Sequence, residues 1–184
     1  MAQKKESFIK TKIIFLFFTS FFSMIFFSNI KFIYFAPLLI FLFYNISFAS
    51  ILWIACLVGF IQDLFSEAFF GINAILYLLS SIILYRGKKY FNDKPINLSI
   101  FTWIFSIIFS VLSPILFFIF DKKINLSITW LITDVILYPA IDGIYAFLFF
   151  AMPILFFEYL KKTGYKNLWI GLKTKIFRRS QKAQ

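Results

Sequence analysis

Charged residues divide the chain into long apolar runs. The clearest runs cover 13–30, 68–85, 95–120 and 128–157. An α-helix rises about 1.5 Å per residue, and the hydrocarbon core of a bilayer is about 30 Å thick. Runs of this length therefore predict transmembrane helices separated by short charged loops.

A further run, 32–62, carries no charge and is too long for one ordinary span but short for two. Asn45 and Ser47 offer a break inside it. If the run forms two helices, the N-terminus, the basic loop 86–94 and the C-terminal tail share one side of the membrane. Because Lys and Arg concentrate in cytoplasmic loops, this bias favours six spans with both termini cytoplasmic. The stretch 32–44 is short for a span, so a tilted, partial or re-entrant segment stays open.

Composition supports a membrane location. Hydrophobic residues make up 61% of the 184 residues, and the mean hydropathy is +0.87. Soluble domains average roughly 45–50% apolar residues, and a core of this size cannot hide such an excess from water. We expect an all-α polytopic membrane protein, with a helical bundle over 13–160 between a basic cytoplasmic N-terminus (1–12) and a basic cytoplasmic tail (161–184).

The net charge of +11 comes from 19 Lys and Arg against 8 Asp and Glu. In a soluble protein this excess would indicate nucleic-acid binding, but here the charges lie at the ends of apolar runs. We therefore expect membrane lipid and no nucleic acid as a partner. In the tail, Trp169, Leu172 and Ile176 have helical spacing, so a basic helix on anionic lipid and a disordered tail both stay open.

Residues for metal or nucleophilic chemistry are scarce. The chain has no His and a single Cys, Cys56, which lies within an apolar run. These facts argue against zinc sites, His-based catalysis and disulfides. We therefore expect no zinc site and no His- or Cys-based catalytic residue.

A polar group stands out near the end of the run 32–62. Gly59, Gln62, Asp63 and Ser66 are spaced three and four apart, so a helix would place them on one face. Gly59 permits close helix approach, and its polar neighbours can hydrogen-bond across the contact. Gly71 opens the next run. The segment predicts a helix, a tight turn and a second helix, forming a structural corner or a binding site. The alternative is an interfacial Asp that simply ends a span.

The last run contains acidic residues that are costly in lipid. Asp134, Tyr138, Asp142 and Tyr145 form a stripe that should face the bundle interior. Asp134 is expected near the interface and Asp142 deeper, in a structural role. Proline residues, which kink or start helices, occur in the same run at Pro139 and Pro153.

These residues resemble the family of the rod shape-determining protein MreD. The family motif Gly-x-x-x-Asp-Leu-x-Ser, with a Gly five residues later, is matched by Gly59, Asp63, Leu64, Ser66 and Gly71. The last helix of the family has a similar pattern, matched here by Pro139, Asp142 and Pro153, with Asp replacing the usual Asn. The resemblance covers roughly 35–162.

The resemblance implies a multi-pass protein of the bacterial inner membrane with no catalytic residue, no cofactor and no metal. Its fold would be similar to the substrate-binding subunits of energy-coupling-factor transporters. Its expected role is a scaffold that maintains rod shape with MreC, with MreB filaments and with the peptidoglycan polymerase–transpeptidase pair. Gly59, Gln62, Asp63, Ser66, Gly71, Asp134, Pro139 and Asp142 are the candidate structural or partner-binding residues.

Two other functions compete with the scaffold. A vitamin-binding transporter subunit would have the same size and topology, so it is the main alternative. An intramembrane protease would use Asp63 and Asp142 as a dyad that shares one proton. The sequence motifs of known aspartyl membrane proteases are missing, which disfavours that reading.

Overall fold

The computed structural model describes residues 2–27, 32–66, 69–90, 94–120 and 127–163. Regular structure within these ranges is entirely helical, as predicted. A lipid-embedded helix satisfies its backbone N–H and C=O groups internally, which is why apolar runs favour it. The predicted pattern of Trp169, Leu172 and Ile176 lies outside the described residues, as do the basic residues Lys31, Lys122 and Lys123.

The helices follow the apolar runs. They are α1 (Ala2–Phe26), α2 (Ala36–Asn45), α3 (Phe48–Asp63), α4 (Ile72–Arg86) and α5 (Pro95–Ile119), followed by a final helix. A 3₁₀ turn, Gly87–Tyr90, extends α4. The final helix consists of Ile128–Trp130, a π-helical Leu131–Leu137, Tyr138–Ala146, a π-helical Phe147–Ala151 and Met152–Thr163.

Three of the described helices are long and apolar enough to cross a membrane. They are Ile9–Phe26, Pro95–Ile119 and Ile128–Tyr159. Each exposes many large apolar side chains, which suits contact with lipid tails rather than water. The chain therefore has the helices of a membrane protein. α2 and α3 are shorter, with 10 and 16 residues.

The uncharged run 32–62 forms two helices, and the break between them lies at its polar residues, as predicted. Asn45 ends α2, and its side-chain amide donates to the carbonyl of Phe41 at 2.7 Å. Ser47 precedes α3 with extended backbone, and its hydroxyl lies 2.8 Å from that of Ser50. The polar side chains stabilise the chain reversal, because each finds a partner within its own turn.

The short helix α2 occupies the centre of the bundle. Every residue from Ala36 to Phe43 is buried. α2 packs against α1, α3, α4 and α5. Its side chains are apolar on nearly every side, and the surrounding helices rather than lipid cover them. Its 10 residues rise only about 15 Å, half the thickness of a bilayer core.

Contacts between the outer helices show which of the helix ends lie at the same end of the bundle. Ser106 of α5 contacts Asp142 of the final helix, and a Cβ atom added at Gly143 would lie 3.3 Å from the Cβ of Trp103. These two helices therefore pack antiparallel. Lys12, near the start of α1, forms a 3.1 Å ion pair with Glu158, near the end of the final helix. The start of α1 and the end of the final helix thus share one end of the bundle.

The prolines of the final helix each follow a π-helical stretch. Pro139 and Pro153 are the second residues of the α-helical segments that begin at Tyr138 and Met152. Proline has no N–H, so it leaves an earlier carbonyl without its usual partner. The wider π turns change the hydrogen-bond register just before each proline. The helix accommodates both prolines while continuing from Ile128 to Thr163.

Candidate functional site

The candidate site is a corner between α3 and α4, which pack together more extensively than any other pair of the described helices. Gly59 lies at their crossing. A Cβ atom added there would lie 2.3 Å from the Cα and 2.6 Å from the N of Ala74. No side chain fits at that separation, so the two backbones approach this closely only because residue 59 is glycine.

Asp63 caps α4 from the last position of α3. Its carboxylate accepts hydrogen bonds from the backbone N–H groups of Gly71 at 2.8 Å, Asn73 at 3.0 Å and Ala74 at 3.4 Å. The first N–H groups of a helix have no partner within the helix, and a negative charge there is favoured by the helix dipole. The buried carboxylate of Asp63, only 4% exposed, supplies the missing acceptor.

Gly71 makes this remote cap possible. It stands at the N-cap position of α4 with φ of 98°, in the left-handed region that favours glycine. A Ser, Thr, Asp or Asn at this position would normally cap the helix with its own side chain. Glycine has none, so the turn brings the α4 N–H groups to Asp63 instead.

Two side-chain pairs extend the corner. The hydroxyl of Tyr77 donates to the side-chain carbonyl of Gln62 at 2.6 Å. The side-chain amide of Asn73 donates to the hydroxyl of Ser66 at 3.2 Å. The predicted residues Gly59, Gln62, Asp63 and Ser66 therefore contact the first turns of α4, and Gly71 stands at its N-cap. Leu64, the remaining motif residue, is exposed.

Asn73 and Tyr77 were not among the predicted site residues. Both are buried, on the first and second turns of α4. The sequence does carry a signal for them, because they are polar residues spaced four apart at the start of an apolar run. That spacing places them on one helical face, as it does the polar residues of α3.

Asp142 forms a second buried polar cluster. Its side chain is 1% exposed, and one oxygen accepts from the backbone N–H of Ile33 at 3.1 Å. The other oxygen accepts from the hydroxyl of Ser106. The carboxyl thus joins the final helix, α5 and the segment that precedes α2.

The segment before α2 is non-helical backbone buried inside the bundle. Within it, Ile33, Tyr34 and Phe35 are all buried. The hydroxyl of Tyr34 donates to the carbonyl of Phe27, and the N–H of Ala36 donates to the carbonyl of Ile33 at 3.1 Å. Buried backbone polar groups outside a helix require partners, and Asp142 supplies one to the N–H of Ile33.

No family model, curated protein or solved structure matches the chain.

The predicted stripe of the final helix is only partly buried. Asp142 and Tyr145 face the interior, and the ring of Tyr145 stacks on Phe32 with centroids 5.1 Å apart. Asp134 is half-buried within a π-helical stretch and accepts from the hydroxyl of Thr133 at 2.9 Å. The π turns between Asp134 and Asp142 change the angular spacing that a regular α-helix would give.

The two buried carboxylates are held by neutral donors from different elements. Asp63 is surrounded by the N–H groups of α4, and Asp142 by Ile33 and Ser106. Within the described ranges, no group of three or more His, Cys, Asp or Glu residues is placed to hold a metal ion. Chemically, both carboxylates act as acceptors that satisfy buried donors and join helices.

An apolar groove opens on the outer face between α1 and the final helix. Its volume is about 700 Å³. Phenyl rings make up most of the lining, with Thr19 and Ser23 as the polar residues. The hydroxyl of Thr19 donates to the carbonyl of Phe15 at 2.9 Å, within its own helix. The groove therefore presents an apolar surface, as expected for a face that contacts acyl chains or an apolar helix.

Proposed function

We propose that this protein is a membrane scaffold of the bacterial cell-wall elongation machinery, of the MreD kind. It maintains rod shape by binding MreC and the peptidoglycan polymerase–transpeptidase pair, in an assembly that also engages cytoplasmic MreB. The protein itself is not an enzyme in this proposal and uses no cofactor.

The corner at 59–71 carries the proposal. The resemblance to MreD rests on Gly59, Asp63, Leu64, Ser66 and Gly71. Gly59 allows the helix crossing, Asp63 caps α4 and Gly71 forms the turn between them. Architectural tasks for Gly59, Asp63 and Gly71 favour a structural protein over a catalyst.

We also propose six spans, a fold like that of the energy-coupling-factor substrate-binding subunits, and both termini in the cytoplasm. The Lys12–Glu158 ion pair supports a common side for the two ends, since an even number of crossings brings them together. The break between Asn45 and Phe48 supports two crossings within the run 32–62. In this arrangement α2 covers about half of the bilayer core, and the non-helical segment before it lies at membrane depth.

The test is affinity purification of the tagged full-length protein from membranes of its own organism, followed by mass spectrometry. An unrelated multi-pass protein with the same tag serves as the control. We expect enrichment of MreC or the elongation polymerase over that control. Enrichment of a coupling ATPase pair without these proteins would contradict the scaffold and favour the vitamin-transport alternative.

A further inference from the structure

Aromatic contacts join α1 to the final helix at both ends of the outer groove. The rings of Phe15 and Phe157 meet edge to face with centroids 6.0 Å apart, and those of Phe27 and Phe149 do so at 6.1 Å. Phe15, Phe27 and Phe149 all line the groove. Since α1 rises about 1.5 Å per residue, the distance from Phe15 to Phe27 makes the groove about 18 Å long.

One wall of the groove is a ladder of phenyl rings on α1. Phe18, Phe22 and Phe26 are exposed, and consecutive rings in this ladder are stacked with centroids 6.4 and 6.5 Å apart. Thr19 and Ser23 also line the groove, and their side chains are much smaller than a phenyl ring. Small side chains among large rings leave a depression in the surface of the helix, and this depression is the floor of the groove.

The lining is suited to an apolar ligand. The described residues that line the groove carry no charge. Thr19 donates its hydroxyl to its own helix, and Ser23 is buried. α1 and the final helix are both long and apolar enough to cross a membrane, so the groove is open to molecules of the bilayer interior.

Size decides between a helix and acyl chains as the ligand. A helix with its side chains is about 10 Å wide, so a stretch about 18 Å long fills roughly 1,400 Å³. The groove has a volume of about 700 Å³, so a helix could enter it only in part. Carbon atoms of neighbouring groups approach to about 4 Å, so an acyl chain of the same length fills roughly 300 Å³. Two acyl chains side by side therefore match the volume of the groove.

We propose that the groove between α1 and the final helix binds the two acyl chains of one phospholipid. The ladder of rings contacts the chains along their length, and each methylene group gains dispersion contacts that a flat helix surface would not give. The proposal is independent of the cell-wall function, since it uses neither the corner nor Asp142.

The experiment is native mass spectrometry of the full-length protein, purified in detergent micelles that contain equal amounts of phosphatidylethanolamine and its one-chain lyso form. Thr19→Phe fills the floor of the groove. Thr129→Phe is the matched control, because Thr129 is an exposed threonine of the final helix outside the groove. We expect the wild type and Thr129→Phe to retain one two-chain lipid in preference to the lyso form.

The fraction of Thr19→Phe that retains this lipid should be more than tenfold lower. Each methylene group that no longer packs in the groove weakens binding about fourfold, and the added ring displaces at least two of them. Equal retention by Thr19→Phe and wild type would overturn the proposal. It would also be overturned by an equal loss in both variants, by a wild type without bound lipid, or by a preference for the lyso form. A wild-type dimer that Thr19→Phe converts to a monomer with lipid retention unchanged would show that a second copy covers the groove instead.

A second measurement uses the wild type in vesicles and does not depend on the folding of a variant. A phosphatidylethanolamine with a diazirine in one acyl chain is photolysed, and the labelled residues are identified by mass spectrometry. Labels should concentrate on Phe22 and Phe149 of the groove relative to Phe118 and Phe156, which are exposed outside it. Even labelling of all four rings would mean that the groove holds no lipid of its own and would overturn the proposal.

Discussion

The carboxylate of Asp63 accepts a hydrogen bond from the backbone N–H of Asn73, 3.0 Å away, at the start of the next helix. A residue that ends one helix therefore caps the following one. Gly59 and Gly71 serve the same contact, one by admitting the α4 backbone and the other by turning the chain toward Asp63. The three residues act together at one contact, and loss of Asp63 would leave buried backbone donors of α4 without partners.

Asp63→Ala should destabilise the bundle, because buried N–H groups of α4 lose their acceptor. Loss of a helix cap costs roughly 1–2 kcal/mol, and the burial of this one places it at the upper end. Asp63→Asn keeps one acceptor oxygen and should lose less. The measurement is the free energy of unfolding in mixed micelles by titration with a denaturing detergent. Equal stability of Asp63→Ala and wild type would show that the cap is dispensable.

Gly59→Ala should destabilise the bundle more than most glycine substitutions do. The added methyl group would lie 2.3 Å from the Cα of Ala74, so α3 and α4 must move apart. Overpacking of this kind costs about 1–3 kcal/mol. Gly87→Ala is the matched control, because nothing lies within 4 Å of its added Cβ and its φ is −78°. Similar melting temperatures for the two variants would contradict the close crossing.

Gly71→Ala tests the turn separately from packing. An added Cβ atom meets nothing within 4 Å, but φ of 98° is strained for any L side chain. The expected cost is about 1–2 kcal/mol, and Gly71→Asn should recover part of it because Asn tolerates left-handed backbone better. The melting temperatures of the wild type and of both variants give the order of their stabilities. If Asn is no better than Ala, the cost does not come from backbone conformation.

Asp142→Ala should loosen the segment before α2. The N–H of Ile33 and the hydroxyl of Ser106 both lose their partner, at a cost of about 1–3 kcal/mol for each buried group left unsatisfied. Asp142→Asn keeps a carbonyl oxygen for Ile33 and should be milder. Hydrogen exchange of the peptide that spans 32–35 is the readout, with faster exchange expected in Asp142→Ala. The double variant with Ser106→Ala should cost less than the sum of the single variants, because the two share one hydrogen bond.

The proposed six-span topology predicts opposite accessibility for two loops. Cys56 is the sole cysteine, so Cys56→Ser provides a background for Asp93→Cys and Ser127→Cys. In intact cells, a membrane-impermeant maleimide should label Ser127→Cys, which follows α5, and spare Asp93→Cys until the membrane is permeabilised. Labelling of Asp93→Cys from outside would reverse the proposed orientation.

Much of the fold follows from local patterns in the sequence. Apolar runs bounded by charge predicted the helices, and Asn45 and Ser47 predicted the break between α2 and α3. The spacing of Gly59, Asp63 and Ser66 predicted a polar face beside a tight turn, where the structure places the corner. These features depend on the helical period and on the free-energy cost of placing a charged side chain in lipid. Both can be read from residues that are close together in the sequence.

Only the tertiary structure decided which buried groups meet. Asp142 accepts from the backbone of Ile33, 109 positions away in the chain, and no spacing rule connects them. The same holds for the central place of α2, which depends on how the other helices surround a short apolar segment. The sequence determined which segments are helical and apolar, because each helix satisfies its own backbone. Packing decided the partners of the remaining polar groups, because a buried donor takes whichever acceptor the assembled bundle brings within reach.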